Sequence, residues 1–541
     1  MPRRTSAPHR PARLAPLQFE GVALRVAGRE DDVARRLAEA QRIARAMRLR
    51  WRAVAIDARA QTVLLRPGPR AGRVTPARAW ELAHRLGARR DVAFAEPAFV
   101  MPGEGPFGPR ARRGAVTEGP PLPGTDACDW ALALCKVPQA WALAPASGGA
   151  ALGQGVVVAH PDTGWTAHPE LANTAVDAAA AFDFVGGVPG ANDPLDPPHP
   201  GHGTSTASVI ASDALATAGA FVSGVAPLAT IMPLRVSSSV VHFSWLRLTA
   251  ALWHAIGRQA HVVSMSLGGP MPSGALEEAL GAAVDANLVL VAAAGNQWPF
   301  VVYPARYDEV VACAAVNILR KRWAGSAAGA DVDVAAPGES VWRARAEPTG
   351  FDVARSSGTS YATAHVAGMA ALWLAHHGRA NLVAKYGRGG VPAVFKELLT
   401  TAGVAGTPAS WPDDVMGAGI ANAHALLSAP LPPRPHAAGM RVRAGVRSVA
   451  ANPFDRVAAY FPGIDPERLR DWLARELRTA PSALPGRLAT LGDEIVFHLT
   501  ADPAAYAGVA RALLRPRARG AAAATRALFR RASPTLARAL R

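Results

Sequence analysis

Five short, unbroken apolar runs, each followed by a helix-like stretch, constrain this chain of 541 residues more than any other feature. They are GVVVAH (155–160), ATIMPLRV (229–236), HVVSMS (261–266), LVLVAAA (288–294) and VVACAAV (310–316). A strand that is apolar on both faces has no side to give to water, so it needs helices above and below it. The pattern predicts an α/β fold over 126–430: a three-layer α/β/α sandwich around a mostly parallel sheet. With 50% apolar and 18% charged residues, the chain has enough material for large cores, which excludes wholesale disorder. No apolar run reaches the roughly 20 residues that a membrane span needs. The basic start MPRRTSAPHR lacks the apolar core of a secretion signal, so a cytoplasmic protein is the default expectation.

The flanks differ from the middle. Residues 1–19 are Pro- and Arg-rich and are expected to be disordered. Residues 20–101 form a small α+β unit: a strand in GVALRVAG, a helix in DDVARRLAEAQRIARAMRL, a hairpin in AVAIDARAQTVLLRP, a helix in TPARAWELAHRLG and a last strand in DVAFAEPAFVMP. Thr75 is the expected cap of the second helix, with Pro76 at its first position. Residues 102–125 are a Gly/Pro-rich linker carrying the RARR cluster Arg110–Arg113, and 431–449 are a second linker. Residues 450–541 form a small α-rich accessory domain, with a helix in PERLRDWLAREL, a strand in DEIVFHL and an Arg-only tail.

Charge follows the same division. Residues 1–119 hold 24 Lys+Arg against 11 Asp+Glu, a net of +13; residues 120–430 hold 15 against 22, a net of −7; residues 431–541 hold 19 against 8, a net of +11. Basic flanks suit nucleic acid or an anionic membrane surface, and equally suit docking on an acidic core. The tail holds a single aromatic residue, Phe529, so base stacking has little support. An anionic partner, a membrane surface, a solvated helix and a protein adaptor all remain open for it. Three cysteines cannot build a disulfide framework; Cys128 and Cys135 are open to a small loop disulfide or to two thiols.

Four segments of the middle region carry groups able to do chemistry. AHPDTGWTAHPEL (159–171) places Asp162 at the end of a buried strand, the edge where functional groups collect in open α/β sheets. PGHGTSTASVIAS (200–212) opens a helix at His202, VLVAAAGNQ (289–297) ends a strand at Asn296, and SSGTSYATAHVAGMAALWLA (356–375) begins a long helix at Ser360. Singly, each is a turn or a helix cap. Together they supply an acyl-transfer site. A serine hydroxyl needs an adjacent base, the imidazole is the base that titrates near neutrality, and a carboxylate fixes its tautomer. The oxyanion needs donors placed in advance: the Ser360 N–H, in the first turn of a helix, and the Asn296 amide.

DTGW, HGTSTASV, AAAGN and GTSYATAHVAG, in that order, resemble the Asp, His, Asn and Ser blocks of the subtilisin-like serine proteases, the subtilase family. SGVAPLATIMPLRV (223–236) and SMSLGG (264–269) resemble two further blocks, and the likeness covers about residues 126–428. The resemblance implies a serine endopeptidase acting on protein or peptide substrates, with Asp162 orienting, His202 as base and acid, Ser360 as nucleophile and Asn296 holding the oxyanion. It implies that Ser266, Leu267 and Gly268 form the edge that pairs with extended substrate, and that Ala292, Ala293 and Ala294 line the opposite pocket wall. Residues 20–101 resemble the family's propeptide, which implies an intramolecular inhibitor and a zymogen. The sequence departs from the family at Tyr361 and Ala364, where Met and Pro are usual; the Tyr361 ring is expected beside the nucleophile. No cofactor is required. Calcium, which several members bind, stays open: Asp183, Asp193, Asp196 and Asp213 are candidates by residue type, against the reading that they are ordinary loop and cap carboxylates. A ligase or cyclase of the same fold, in which an amine resolves the acyl-enzyme, and a catalytically idle binding module are the alternatives.

Overall fold

The computed structural model describes residues 17–69, 71–100, 122–212, 222–242, 244–433, 452–461, 463–514, 525 and 529–540. Residues 1–16 of the start expected to be disordered, most of both linkers with the RARR cluster, Asp213, and 515–524, 526–528 and 541 of the Arg-rich tail lie outside these residues; Gln18 and Phe19, at the end of that expected start, instead open the first strand, where sheet pairing holds them. Among the described residues, no helix is long and apolar enough to cross a membrane.

Residues 18–100 build a βαββαβ unit: β1 (Gln18–Val26), α1 (Val33–Ala46), β2 (Trp51–Ala55), β3 (Thr62–Pro67), α2 (Pro76–Gly87) and β4 (Val92–Val100). Its antiparallel sheet has the order β2-β3-β1-β4. The Asp32 side chain caps α1 through Arg35 N and Thr75 caps α2 through Arg78 N, so both helices start where a short polar side chain can take an orphan N–H.

The large sheet has eight strands in the order β12-β11-β10-β9-β5-β8-β6-β7. In chain order these are β5 (Val157–Asp162), β6 (Phe182–Asp183), β7 (Val188–Pro189), β8 (Thr230–Arg235), β9 (Val262–Met265), β10 (Val289–Ala293), β11 (Val311–Val316) and β12 (Val334–Pro337). All pairings are parallel except β6 with β7. All five apolar runs are strands, and they alternate between two cores: Val158, Val262 and Val291 face one, Ala159, Val263 and Ala292 the other. The three-layer sandwich holds. After two short helices, α3 (Trp130–Leu134) and α4 (Val137–Trp141), helices α5 (His202–Ala211) and α8 (Thr359–His377) cover one face of the sheet, α6 (Leu246–Gly257) and α7 (Gly274–Asp285) the other. A two-stranded hairpin, β13 (Val341–Glu347) with β14 (Gly350–Ser356), leads into α8.

The strand expected in DEIVFHL is helical: it lies within the helix Leu484–Ala501, where Glu494–Thr500 are all buried. A helix covered on every side has no wet face, so its apolar run carries no period to separate it from a buried strand. The cysteines are thiols, Cys128 exposed and Cys135 and Cys313 buried.

The first unit packs on α6 and α7, where Arg59 donates to the Trp253 carbonyl and lies over that residue's ring at 5.5 Å. Among the described residues, the ion pair between this unit and the middle of the chain is Glu20 with Arg247 at 3.2 Å. Glu278 accepts from Gln61 N at 2.5 Å and from the Thr62 hydroxyl at 2.6 Å. Glu96 of β4 caps α7 from outside, accepting from the Ser273 hydroxyl at 2.5 Å and from Gly274 N at 2.9 Å. Burial pushes its carboxyl up to about 7, against those donors. Replacing Glu96 by Ala in a Ser360→Ala background leaves these donors without their acceptor, a loss of about 1–3 kcal/mol. The expected outcome is faster digestion of residues 18–100 by an added protease; digestion at the parent rate contradicts the capping role.

Candidate active site

Sheet topology gathers the site. From β5 the chain adds β8 on one side, then crosses to β9 on the other, so β5 is where the strand order reverses. Ligand crevices in open α/β sheets form at the carboxyl ends of strands at such a point. Asp162 ends β5 there and is 1% exposed.

His202 is the first residue of α5 and is set between two glycines that admit no side chain. A Cβ on Gly203 would lie 2.1 Å from the Gly164 carbonyl oxygen, and Gly201, at φ 64°, holds the left-handed turn into the helix. The imidazole Nδ1 is 2.7 Å from Asp162 Oδ1, and its Nε2 is 3.2 Å from Ser360 Oγ. Asp162 Oδ1 also accepts from Thr163 N at 2.7 Å. Burial works to raise the Asp162 carboxyl, but the charge and hydrogen bond of His202 outweigh it and hold it below the usual carboxylate range. Ser360 lies in the first turn of α8, where an N–H has no intrahelical acceptor. Its hydroxyl is 3.3 Å from the Ser266 carbonyl, and the Ser266 hydroxyl donates to the Ser360 carbonyl at 3.0 Å.

Asn296 follows β10. Its Oδ1 accepts from Thr359 N at 2.9 Å and from the Thr359 hydroxyl at 2.8 Å, which commits the oxygen and leaves the amide nitrogen as donor. A Cβ placed on Gly358 would stand 3.3 Å from that nitrogen and 3.7 Å from Ser360 N. The two donors thus border one small space, open because residue 358 has no side chain.

The structure brings Asp162, His202, Ser360 and Asn296 together. Ser266 and Leu267 directly follow β9, and Ala292 and Ala293 lie on β10 beside it, with Ala292 paired to Met265 and Ala294 just beyond. Gly268 is already engaged: its N–H donates to Val240 O at 2.8 Å and its carbonyl accepts from His242 N at 2.9 Å. The Tyr361 ring does not stand beside the Ser360 hydroxyl, where it was expected. Its ring is 5% exposed in the core between α5 and α8, with its hydroxyl 3.4 Å from Ser205 Oγ. His365, the second histidine of that block, is structural: Nδ1 meets the Tyr361 carbonyl at 2.7 Å, and burial pushes the ring down to about 4. Among the described residues, no group of three or more His, Cys, Asp or Glu side chains could hold a metal. Asp183 is occupied by Arg235 at 2.9 Å and by the backbone of Val185 and Gly186.

Sequence reasoning missed the supports. Asp193, considered above only by residue type, accepts from the Thr163 hydroxyl at 2.6 Å and from Gly201 N at 3.0 Å, and that same hydroxyl accepts from Gly203 N at 3.0 Å. One carboxylate and one hydroxyl therefore tie down the peptide groups on both sides of His202. The only sequence signal was the position of Thr163 beside Asp162; the partner lies 30 residues away.

A buried carboxylate, an imidazole and a serine hydroxyl in line, at the carboxyl edge of a three-layer α/β sandwich, define a serine hydrolase. Residues 153–413 match the model of the subtilase family. Thermitase of Thermoactinomyces vulgaris is 36% identical over 246 residues, 45% of this chain and 81% of that relative. Subtilisin Savinase of Lederbergia lenta is 36% identical over 221 residues, 41% of this chain and 76% of that relative. Among solved structures, fervidolysin of Fervidobacterium pennivorans, a keratinolytic enzyme related to subtilisin, matches with a TM-score of 0.56 at 22% identity, covering 77% of this chain and 62% of that one, a likeness of fold alone. The chain belongs to the subtilase family and is a serine-type endopeptidase.

Thr163→Val keeps the volume but removes both bonds of the hydroxyl. It is expected to lower kcat on a peptide substrate by about 10- to 100-fold with KM little changed, because a small misplacement of His202 is costly. Steady-state kinetics beside circular dichroism check this; an unchanged kcat removes Thr163 from the support of the site.

Proposed function

We propose that this protease cleaves peptide bonds through an acyl-enzyme formed on Ser360, with His202 as base then acid, Asp162 as its orienting carboxylate, and the Asn296 amide with the Ser360 N–H as oxyanion donors. The observation that carries the reading is the unbroken line Asp162–His202–Ser360, at 2.7 and 3.2 Å. Ser360 Oγ attacks the scissile carbonyl carbon as its proton passes to His202 Nε2. The carbonyl π electrons move to oxygen, and the oxyanion sits beside Gly358, facing both donors. The intermediate collapses, the C–N bond breaks and the amine leaves with the proton from Nε2. Water then repeats the cycle on the ester, giving its proton to His202 and releasing the acid and the Ser360 hydroxyl. Asp162 stays ionised and stabilises the imidazolium. Only protons and an acyl group move, so these steps call for no cofactor.

The substrate is an extended protein or peptide segment held along Ser266-Leu267-Gly268 against the wall at Ala292–Ala294. The pairing of Gly268 with Val240 and His242 means that a substrate strand must part these two segments to gain the whole edge. We further propose that residues 18–100 inhibit the site within the same chain. Supporting this, β4 runs beside Met271–Ser273, a few residues past the substrate edge, where Glu96 and Phe99 share a small cavity with Trp245 and Met271. Resolution by an amine instead of water leaves the same residues in the same roles; product analysis with a free amine nucleophile present separates ligase from protease.

Asn296→Ala is expected to lower kcat by about 10²–10³-fold with KM nearly unchanged, the magnitude seen when such a donor is removed from subtilisin, a member of this family. Gly358→Ala is expected to act the same way without loss of fold, since φ 173° is extended backbone open to any residue and the new methyl would fill the oxyanion space. Fluorophosphonate labelling should mark the wild type and vanish in Ser360→Ala, and intact mass should show loss of the first hundred residues from the wild type only. Labelling that survives Ser360→Ala overturns the assignment of the nucleophile; a wild type that keeps its N-terminal unit while remaining active overturns the inhibitory role.

A further inference from the structure

The described helices beyond residue 452 do not stand apart as an appendage. They touch both the N-terminal unit and the catalytic core, at the place where those two meet. Glu494, in the helix Leu484–Ala501, is fully buried. Its carboxylate is shared between the C-terminal segment and α2: Ser533 donates through N at 2.6 Å and through its hydroxyl at 2.8 Å, His498 Nε2 lies at 3.3 Å, and His84 Nε2 of α2 at 2.7 Å. Burial works against ionisation, but His498, His84 and Ser533 outweigh it and bring the carboxyl down to about 2. One turn on, the Phe497 ring stacks on Phe99 of β4, centroids 5.2 Å apart, and lies 5.8 Å from Trp80 of α2. Thr535 N donates to Glu81 at 2.8 Å.

The same segment grips the core. The Tyr460 hydroxyl donates to the Pro270 carbonyl, just past the SMSLGG edge, and its ring meets Phe300 edge-on at 4.6 Å. Arg306 of the core lies between the Tyr303 and Tyr460 rings, at 5.0 and 5.1 Å. Thr500 reaches the Met271 sulfur at 4.0 Å. Trp80, Phe99, Trp245, Met271 and Phe497 line one small cavity where all three parts join.

We propose that the described C-terminal segments 453–461, 463–514 and 529–540 are a clamp for the N-terminal unit: the surface that retains residues 18–100 is composite, made by the catalytic core and these segments together. The physical reason is that a group bonded to both neighbours stabilises only the assembled state. Departure of the N-terminal unit strips His84 from a buried carboxylate and bares Phe497, so it breaks two interfaces at once. Cutting the connecting chain after Val100 is then not enough for release. The clamp itself is independent of the inhibitory reading; its consequence for activity rests on that reading.

The test uses the full chain as Ser360→Ala, with a site for an added specific protease placed between residues 101 and 121. After cutting, gel filtration follows how fast the N-terminal fragment leaves. Phe497→Ala and His84→Ala lie on opposite sides of the interface, so unfolding of one part does not explain a loss in both. The expected result is release at least about 10-fold faster in each. Release at the parent rate in both overturns the clamp. The same cut in Ser360-containing protein, read by peptidase activity, keeps the two readings apart: faster release with no gain in activity leaves the clamp standing and removes the inhibitory role.

Discussion

Everything at the site depends on keeping a negative charge where water does not reach. Asp162 is buried at the end of β5, and an isolated carboxylate there would cost far more than the site could recover. The His202 imidazole and the Thr163 N–H compensate it. In the proposed mechanism that compensation is also the catalytic device, because the bond that stabilises the carboxylate fixes which ring nitrogen faces Ser360. Stability and function are bound up in one contact, and the surroundings of His202 are correspondingly rigid: glycines that allow close backbone approach on both sides, and Thr163 and Asp193 holding the flanking peptides.

Two helix starts complete the arrangement. α5 presents His202, the proposed base, and α8 presents Ser360, the proposed nucleophile, from their first turns, where N–H groups lack intrahelical acceptors. The Asn296 amide has its oxygen spent on Thr359, so the nitrogen must face the space beside Gly358. The proposed oxyanion site thus arises from ordinary capping: the contact that satisfies the start of α8 orients the second donor.

Outside the catalytic core, the two flanking parts make one continuous surface with it. Glu96 satisfies the start of α7 from the N-terminal unit, and Glu494 satisfies groups from α2 and from the C-terminal segment. Both are acids on flanks whose net charge is basic. The polarity of a segment as a whole says little about the particular side chains at its contacts, because a buried contact is decided by which orphan donors need an acceptor.

What the amino-acid order alone determined was local or periodic. The apolar runs became strands because a doubly covered strand leaves an unbroken hydrophobic signature, and Asp162, His202, Asn296 and Ser360 stood out because strand ends and helix starts have short-range markers. The helix 484–501 escaped because burial on all sides erases the period by which a helix is told from a strand. Tyr361 was misplaced because a residue's neighbour in the chain need not be its neighbour across a helix; one position round, its ring turns into the core. Asp193, the engaged state of Gly268 and the joint grip of Glu494 on α2 and Ser533 were decided by tertiary structure alone. Each joins segments tens to hundreds of residues apart, and only packing, not chain order, sets which donor a buried acceptor meets.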